Sequence, residues 1–165
     1  MTGRPAAPPP IRATSPVDLE LIAALNDAAG GEQWSLETLT STLASADVWG
    51  LIAARGFEAA SPPAGFLLVR CAADEAEILG LVVEPPSRRR GIARALLRAA
   101  VDRLAEIGCS ALFLEVAADN APALALYDSF GLRKVGRQAD YYKRPGDIHM
   151  DALIMRLSLR KQPDH

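Results

Sequence analysis

Apolar positions along the 165-residue chain change their period several times, and each change marks an element. Leu19, Ile22 and Leu25 recur at helical spacing after Ser15-Pro16-Val17-Asp18. Ser15 is a capping residue, Pro16 suits a first helical position, and Asp18 suits the positive end of the helix dipole. Gly30-Gly31 predicts the stop. A second helix opens at Ser35, with Trp34 placed to staple onto Leu39 and with Leu36, Leu39 and Leu43 as its buried stripe. Three short apolar runs follow, 48–54, 65–71 and 76–83, broken by Ser61-Pro62-Pro63 and closed by Pro85-Pro86. Their links are too short for crossovers, so they predict consecutive antiparallel strands. The helical period returns over 91–107, where Ile92, Leu96, Ala99, Ala100 and Leu104 share one side and Gly108 ends the run. A strand over 111–116 follows, then a helix capped by Asn120 that runs to about Phe130 and stops at Gly131. Segments 132–136 and 152–159 read as closing strands.

This order predicts one α/β (or α+β) domain over residues 11–160, with a proline-rich tail at 1–10 and a polar tail at 161–165. A right-handed crossover through the 91–107 helix makes strands 76–83 and 111–116 parallel neighbours. Half of the residues are hydrophobic, which excludes wholesale disorder. The formal net charge of −2 disfavours a dedicated nucleic-acid binder. No segment reads as a signal peptide or a membrane span, which predicts a cytoplasmic protein without a membrane partner. Cys71 and Cys109 cannot by themselves make a disulfide framework or a metal site, and Cys109 reads as a small buried filler. His149 and His165 have no ligand spacing, so no metal is expected.

The sharpest local string is Arg88-Arg89-Arg90-Gly91-Ile92-Ala93, between a strand and a helix. A helix start offers free N–H groups and positive dipole, a glycine allows close approach, and arginines add charge-assisted contacts, so the string suits a pyrophosphate. It is neither a Walker loop nor a dinucleotide fingerprint. On its own it reads more readily as a tight turn before a basic helix face carrying Arg90, Arg94 and Arg98.

In context the segment Leu81-Val-Val-Glu-Pro-Pro-Ser-Arg-Arg-Arg-Gly-Ile-Ala-Arg-Ala-Leu-Leu97 resembles the acetyl-CoA motif of the GNAT family of N-acetyltransferases, Arg/Gln-x-x-Gly-x-Gly/Ala after a strand. Leu114-Glu-Val-Ala-Ala-Asp-Asn120, Ala125-Leu-Tyr-Asp-Ser-Phe-Gly-Leu132, Tyr141-Tyr142 and Asp151-Ala-Leu-Ile-Met155 resemble the RimI branch of that family. Gln33-Trp34-Ser35 fits the branch's entry to its second helix. The resemblance covers about 11–159. It implies a single mixed, mostly antiparallel sheet with helices on both faces and a splayed central parallel strand pair. It also implies acetyl-CoA as co-substrate and the N-terminal alanine of a small-subunit ribosomal protein as acceptor. No DNA partner is expected, and the protein is expected to be a monomer or weak oligomer.

Acyl transfer from a thioester to an amine needs a donor to the carbonyl oxygen, a base for the amine, a proton for the departing sulfur, and alignment. The resemblance implies that the main chain of Leu81, Val82 and Val83 lines the acetyl and pantetheine arm, with the Val83 N–H donating to the thioester oxygen. Arg88, Arg89, Arg90, Gly91, Ile92, Ala93 and Arg94 would cradle the pyrophosphate. Read from the residues alone, Leu81 and Val83 are simply strand core. Glu115 interrupts an apolar strand, facing away from Leu114 and Val116, which fits either a solvated acid or a base. The resemblance makes it the general base. Tyr127 reads alone as a packing aromatic and by resemblance as the general acid. Asn120 can cap its helix and, by resemblance, bind the cofactor arm. Tyr141 and Tyr142 are either a hairpin aromatic pair or substrate-loop residues.

Two departures bear on the acceptor. Ala117 stands where the branch usually has Arg, and the turn between Tyr142 and Asp151 is unusually basic. Ala93 stands for the last glycine, as the family permits. Lysine side chains and small amines are therefore alternative acceptors, and a non-catalytic acyl-CoA-binding module is the alternative outside enzymology.

Overall fold

The computed structural model describes residues 8–30, 34–57 and 61–159. Most of both predicted tails, and Gly31 and Gln33, lie outside the described residues. The elements run β1 (Ile11–Ala13), a 3-10 turn (Pro16–Asp18), α1 (Leu19–Ala28), α2 (Leu36–Ala44), β2 (Val48–Ala54), β3 (Pro63–Ala72), β4 (Glu75–Val83), a second 3-10 turn (Pro85–Ser87), α3 (Ile92–Glu106), β5 (Ala111–Ala117), α4 (Ala121–Ser129), β6 (Arg133–Arg144) and β7 (Ile148–Ser158). The strands form one mixed, mostly antiparallel sheet in the order β1-β2-β3-β4-β5-β7-β6. The parallel pair β4–β5 is the expected one. Its ladder joins Glu75–Glu77 to Ala111–Phe113, and both strands run on beyond it.

The chain divides into two compact units, Met1–Val69 with Gly80–Ala100 and Arg70–Leu79 with Val101–His165. In the first, β1 pairs antiparallel with β2. Ile22, Leu39, Ile52, Phe66, Leu67 and Leu96 are fully buried. Asp18 anchors the entry to α1. Its carboxylate accepts from both Arg12 Nη atoms at 2.8 Å and from the Ser15 N–H at 2.8 Å. The guanidinium hydrogen bond holds that carboxyl down at about 2. Ser35 caps α2 by accepting from the Thr38 N–H at 3.1 Å.

The expected stripe of α2 is only partly right. Leu39 is buried, Leu43 is half-buried and Leu36 is exposed, because a first-turn residue of this short helix faces outward. Trp34 packs on Phe66, with ring centroids 6.4 Å apart, and its ring tip lies where a Cβ on Gly80 would stand.

In the second unit, β7 lies between β5 and β6 and pairs antiparallel with both. Leu104, Leu112, Leu114 and Leu132 are fully buried in this unit. The hairpin is far longer than the sequence pattern suggested. β6 does not end at 136 but runs to Arg144, and β7 starts at Ile148. Nearly every β6 residue is exposed, so no apolar alternation marks it. Pairing to β7 makes the strand. The register slips between Lys134 and Gly136 and again between Gln138 and Tyr142, where Asp140 takes a left-handed φ of 53°.

Candidate active site

In the first unit, the end of β4 carries Leu81, Val82 and Val83, all half-buried. Three apolar residues with this much exposure on a strand inside the sheet order are not simply core. Gly65 on β3 makes the local packing possible. A Cβ there would lie 2.6 Å from the Val82 carbonyl oxygen, too close for any other residue. Beyond β4, the Glu84 carboxylate draws the turn together. Its Oε1 accepts from Arg55 Nε at 2.7 Å and from Ser87 Oγ at 2.5 Å. Burial alone would raise this carboxyl, but the bonds from Ser87 and Arg55 outweigh it and hold it below the usual range. Arg88 Nε then donates to the Val83 carbonyl at 3.2 Å.

The entrance to α3 has the form expected of an anion cradle. Arg89 and Gly91 both adopt left-handed φ, 65° and 78°, on either side of Arg90. Alternating handedness of this kind turns successive N–H groups toward one side and makes a nest. Open space surrounds the Gly91 Cα, with nothing within 4 Å of the point where a Cβ would stand. Arg88, Arg89, Arg90, Gly91 and Arg94 are exposed, while Ile92 is buried and seats the helix, and Ala93 is half-buried. The first N–H groups of α3 have no partner within the helix. Residues present here fit a pyrophosphate.

In the second unit, Glu115 is the exposed residue of β5 between buried Leu114 and Val116. Its backbone pairs with Ile154 of β7, which fixes its facing. Asn120 caps α4: its Oδ1 accepts from the Ala123 N–H at 3.2 Å, and its amide N–H groups are a separate donor. Tyr127 is on α4 and only 8% exposed. Burial pushes its phenol up to about 12, and the nearby Tyr142 adds to the effect. Tyr141 and Tyr142 stack edge to face with centroids 4.9 Å apart. The influence of Tyr142 on the Tyr127 phenol links β6 to α4, a relation the sequence left open.

Cys109 is buried as expected. Burial raises its thiol, with Cys71 and Asp74 adding to the effect, the opposite of what a nucleophile needs. His149 is exposed on β7. Among the described residues there is no group of three or more His, Cys, Asp or Glu side chains placed to hold a metal ion, and no helix is long and apolar enough to cross a membrane.

Several residues escaped the sequence reading: Gly65, the Arg55–Glu84–Ser87 network, and the ion pairs Arg144–Asp119 and Arg137–Asp151. The partners in each ion pair are 25 and 14 positions apart, and no periodicity connects them.

The mixed sheet with this strand order and its parallel β4–β5 pair define the class as the GNAT fold. The pattern of the Acetyltransferase (GNAT) family matches residues 24–132, and the chain belongs to that family. Within it, the chain is RimI-like. It is 38% identical to the ribosomal protein bS18-alanine N-acetyltransferase of Escherichia coli over 96 residues, 58% of this chain and 64% of that protein. The Haemophilus ducreyi enzyme of the same name is 36% identical over 94 residues, 57% of this chain and 65% of that protein. These matches span just under two thirds of the relatives' own length. Among solved structures, the Escherichia coli ribosomal-protein-alanine enzyme superposes with a TM-score of 0.85 at 28% identity, covering 94% of this chain and 96% of that one. Arabidopsis thaliana NAA60 in complex with acetyl-CoA gives a TM-score of 0.78 at 24% identity, covering 90% and 97%, a likeness of fold.

Proposed function

We propose that this protein transfers the acetyl group of acetyl-CoA to the α-amine of an N-terminal alanine, with a small-subunit ribosomal protein as the first candidate acceptor. The domain that does so is 11–160. The observation that carries the donor half is the left-handed Arg89/Gly91 turn at the start of α3, which fits a pyrophosphate. The acceptor half rests on the likeness to the Escherichia coli ribosomal-protein-alanine enzyme, in sequence and in fold. The reading implies a cytoplasmic enzyme.

The residues divide the work as follows. Backbone N–H groups from Arg89 to Arg94 hold the pyrophosphate, and the arginine side chains add charge. The main chain of Leu81–Val83 aligns the pantetheine arm, and the Val83 N–H donates to the thioester oxygen, where negative charge grows as the amine attacks. Glu115 accepts the amine proton, directly or through a water. Asn120 binds the arm with the amide N–H groups that capping does not use. Tyr127 donates to the sulfur as the carbon–sulfur bond breaks.

The elevated Tyr127 value limits what that donation is. A phenol at about 12 stays protonated at any working pH. Complete transfer to a free alkyl thiolate, with a thiol value near ~8.5, would be uphill by ~5 kcal/mol. Tyr127 therefore acts as a hydrogen-bond donor to the leaving sulfur.

An acceptor competition tests the proposal. The enzyme and acetyl-CoA are offered a peptide beginning with alanine, the same peptide already acetylated, a lysine peptide blocked at its α-amine, and a polyamine. Turnover confined to the free alanine terminus is the expected result. Preference for the lysine peptide or the polyamine would overturn the acceptor assignment. Binding of acetyl-CoA without turnover on any acceptor would favour a non-catalytic module.

A further inference from the structure

β6 is the outermost strand of the sheet order, yet its bulge is gripped at both ends. On one side Arg137 binds Asp151, and the other oxygen of that carboxylate accepts from the Asp140 N–H at 3.0 Å. On the other side Arg144 meets Asp119 with both prongs of its guanidinium, Nη2 to Oδ1 at 2.8 Å and Nη1 to Oδ2. The second grip ends on the turn between β5 and α4, and the first is joined to that turn because the Ala118 N–H donates to the Asp151 carbonyl at 2.9 Å. Between them lie left-handed Asp140 and the stacked pair Tyr141 and Tyr142. A non-glycine residue in that conformation persists only where its surroundings hold it. Bulges of this kind re-aim side chains beside active sites.

We propose that the Asp119–Arg144 ion pair is a positioning clasp for the acceptor. It ties the end of β6 to the turn before α4 and so fixes where the stacked pair Tyr141 and Tyr142 presents itself to the acceptor peptide. The clasp rests on the acetyltransferase reading, which gives the three tyrosines their roles. Both partners are about two-fifths exposed (40% and 41%), so the pair adds little to global stability. Its effect is on where the bulge sits.

The chain contains three tyrosines, and they are Tyr127, Tyr141 and Tyr142, so tyrosine-selective isotope labelling reports this cluster alone. The test compares wild type, Asp119→Asn, Arg144→Gln and the swapped double variant Asp119→Arg/Arg144→Asp. NMR of labelled tyrosine is read beside steady-state kinetics on an alanine-start peptide. Each single variant is expected to move the Tyr141 and Tyr142 signals and to raise KM for the peptide about three- to five-fold, with KM for acetyl-CoA and the melting temperature unchanged. The swapped pair is expected to restore both readouts in part. Tyrosine signals that stay in place in both single variants would overturn the clasp, as would equal losses toward both substrates that the swap does not repair. A wild type that acetylates a lysine peptide or a polyamine instead overturns the alanine assignment alone, and the same KM comparison on that acceptor then decides the clasp.

Discussion

Replacing Tyr127 with phenylalanine isolates one hydrogen bond. The ring that fills the site between α4 and its surroundings is kept, and only the hydroxyl is lost. The rise of the phenol from 10.0 to about 12 corresponds to ~3 kcal/mol against ionising it in place. At pH 8 about one molecule in 10,000 carries phenolate, so the group is a standing donor. A hydrogen bond to a charged partner is worth ~1.5–3 kcal/mol, which predicts a fall in kcat of about 10- to 150-fold. Stability should change by no more than ~1 kcal/mol, a shift of about 2–4 °C in Tm. The assay is kcat and kcat/KM from pH 6 to 10, with thermal unfolding of both proteins as the control. Wild type should show no alkaline loss that disappears in Tyr127→Phe over that range. A fall in kcat below about three-fold would refute the donor role. An alkaline limb near pH 9 that vanishes in the variant would refute the elevated phenol value that makes Tyr127 a standing donor.

Other substitutions probe the remaining links. Glu115→Gln keeps the shape of the exposed β5 residue and removes its basicity; kcat should drop about 100-fold or more while acetyl-CoA binding, read by calorimetry, is unchanged. Asp18→Asn should destabilise the protein by ~2 kcal/mol at pH 7, measured by urea unfolding. Because the Asp18 carboxyl is depressed from 3.8 to about 2 in the folded state, its contribution is complete above pH ~4 and lost on acidification toward pH 2. The gap between wild type and Asp18→Asn should thus shrink to about half by pH 3, and a gap that does not vary with pH would contradict the assignment. Gly65→Ala places a Cβ 2.6 Å from the Val82 carbonyl oxygen, so it should cost ~1–3 kcal/mol and weaken acetyl-CoA binding through the displaced Val82–Val83 backbone. Unaltered affinity would mean that this stretch does not hold the donor.

What the sequence revealed depended on whether packing or pairing makes the element. α3 was legible because Leu96, Leu97, Ala100 and Leu104 must all be buried, and burial imposes the helical period. β5 was legible for the same reason, and Glu115 stood out because Leu112, Leu114 and Val116 alternate around it. β1 was missed because three residues, Ile11–Ala13, are strand only by pairing with Leu51–Ala53. Most of β6 was missed because its exposed residues carry no alternation. At the site, local features could be read: the Arg89–Gly91 turn, the Asn120 cap and the tyrosine pair are each a few residues long. Arg144 with Asp119 and Arg55 with Glu84 could not, since they meet only after distant strands are aligned.

One mass measurement tests acceptor and base together. Enzyme, acetyl-CoA and a peptide beginning with alanine are incubated, and the product is fragmented to locate any added acetyl group. The expected product carries one acetyl on the α-amine of alanine, formed by wild type and at least about 100-fold more slowly by Glu115→Gln. An unmodified α-amine, or an acetyl group found only on a lysine side chain, would rule out N-terminal alanine as the acceptor.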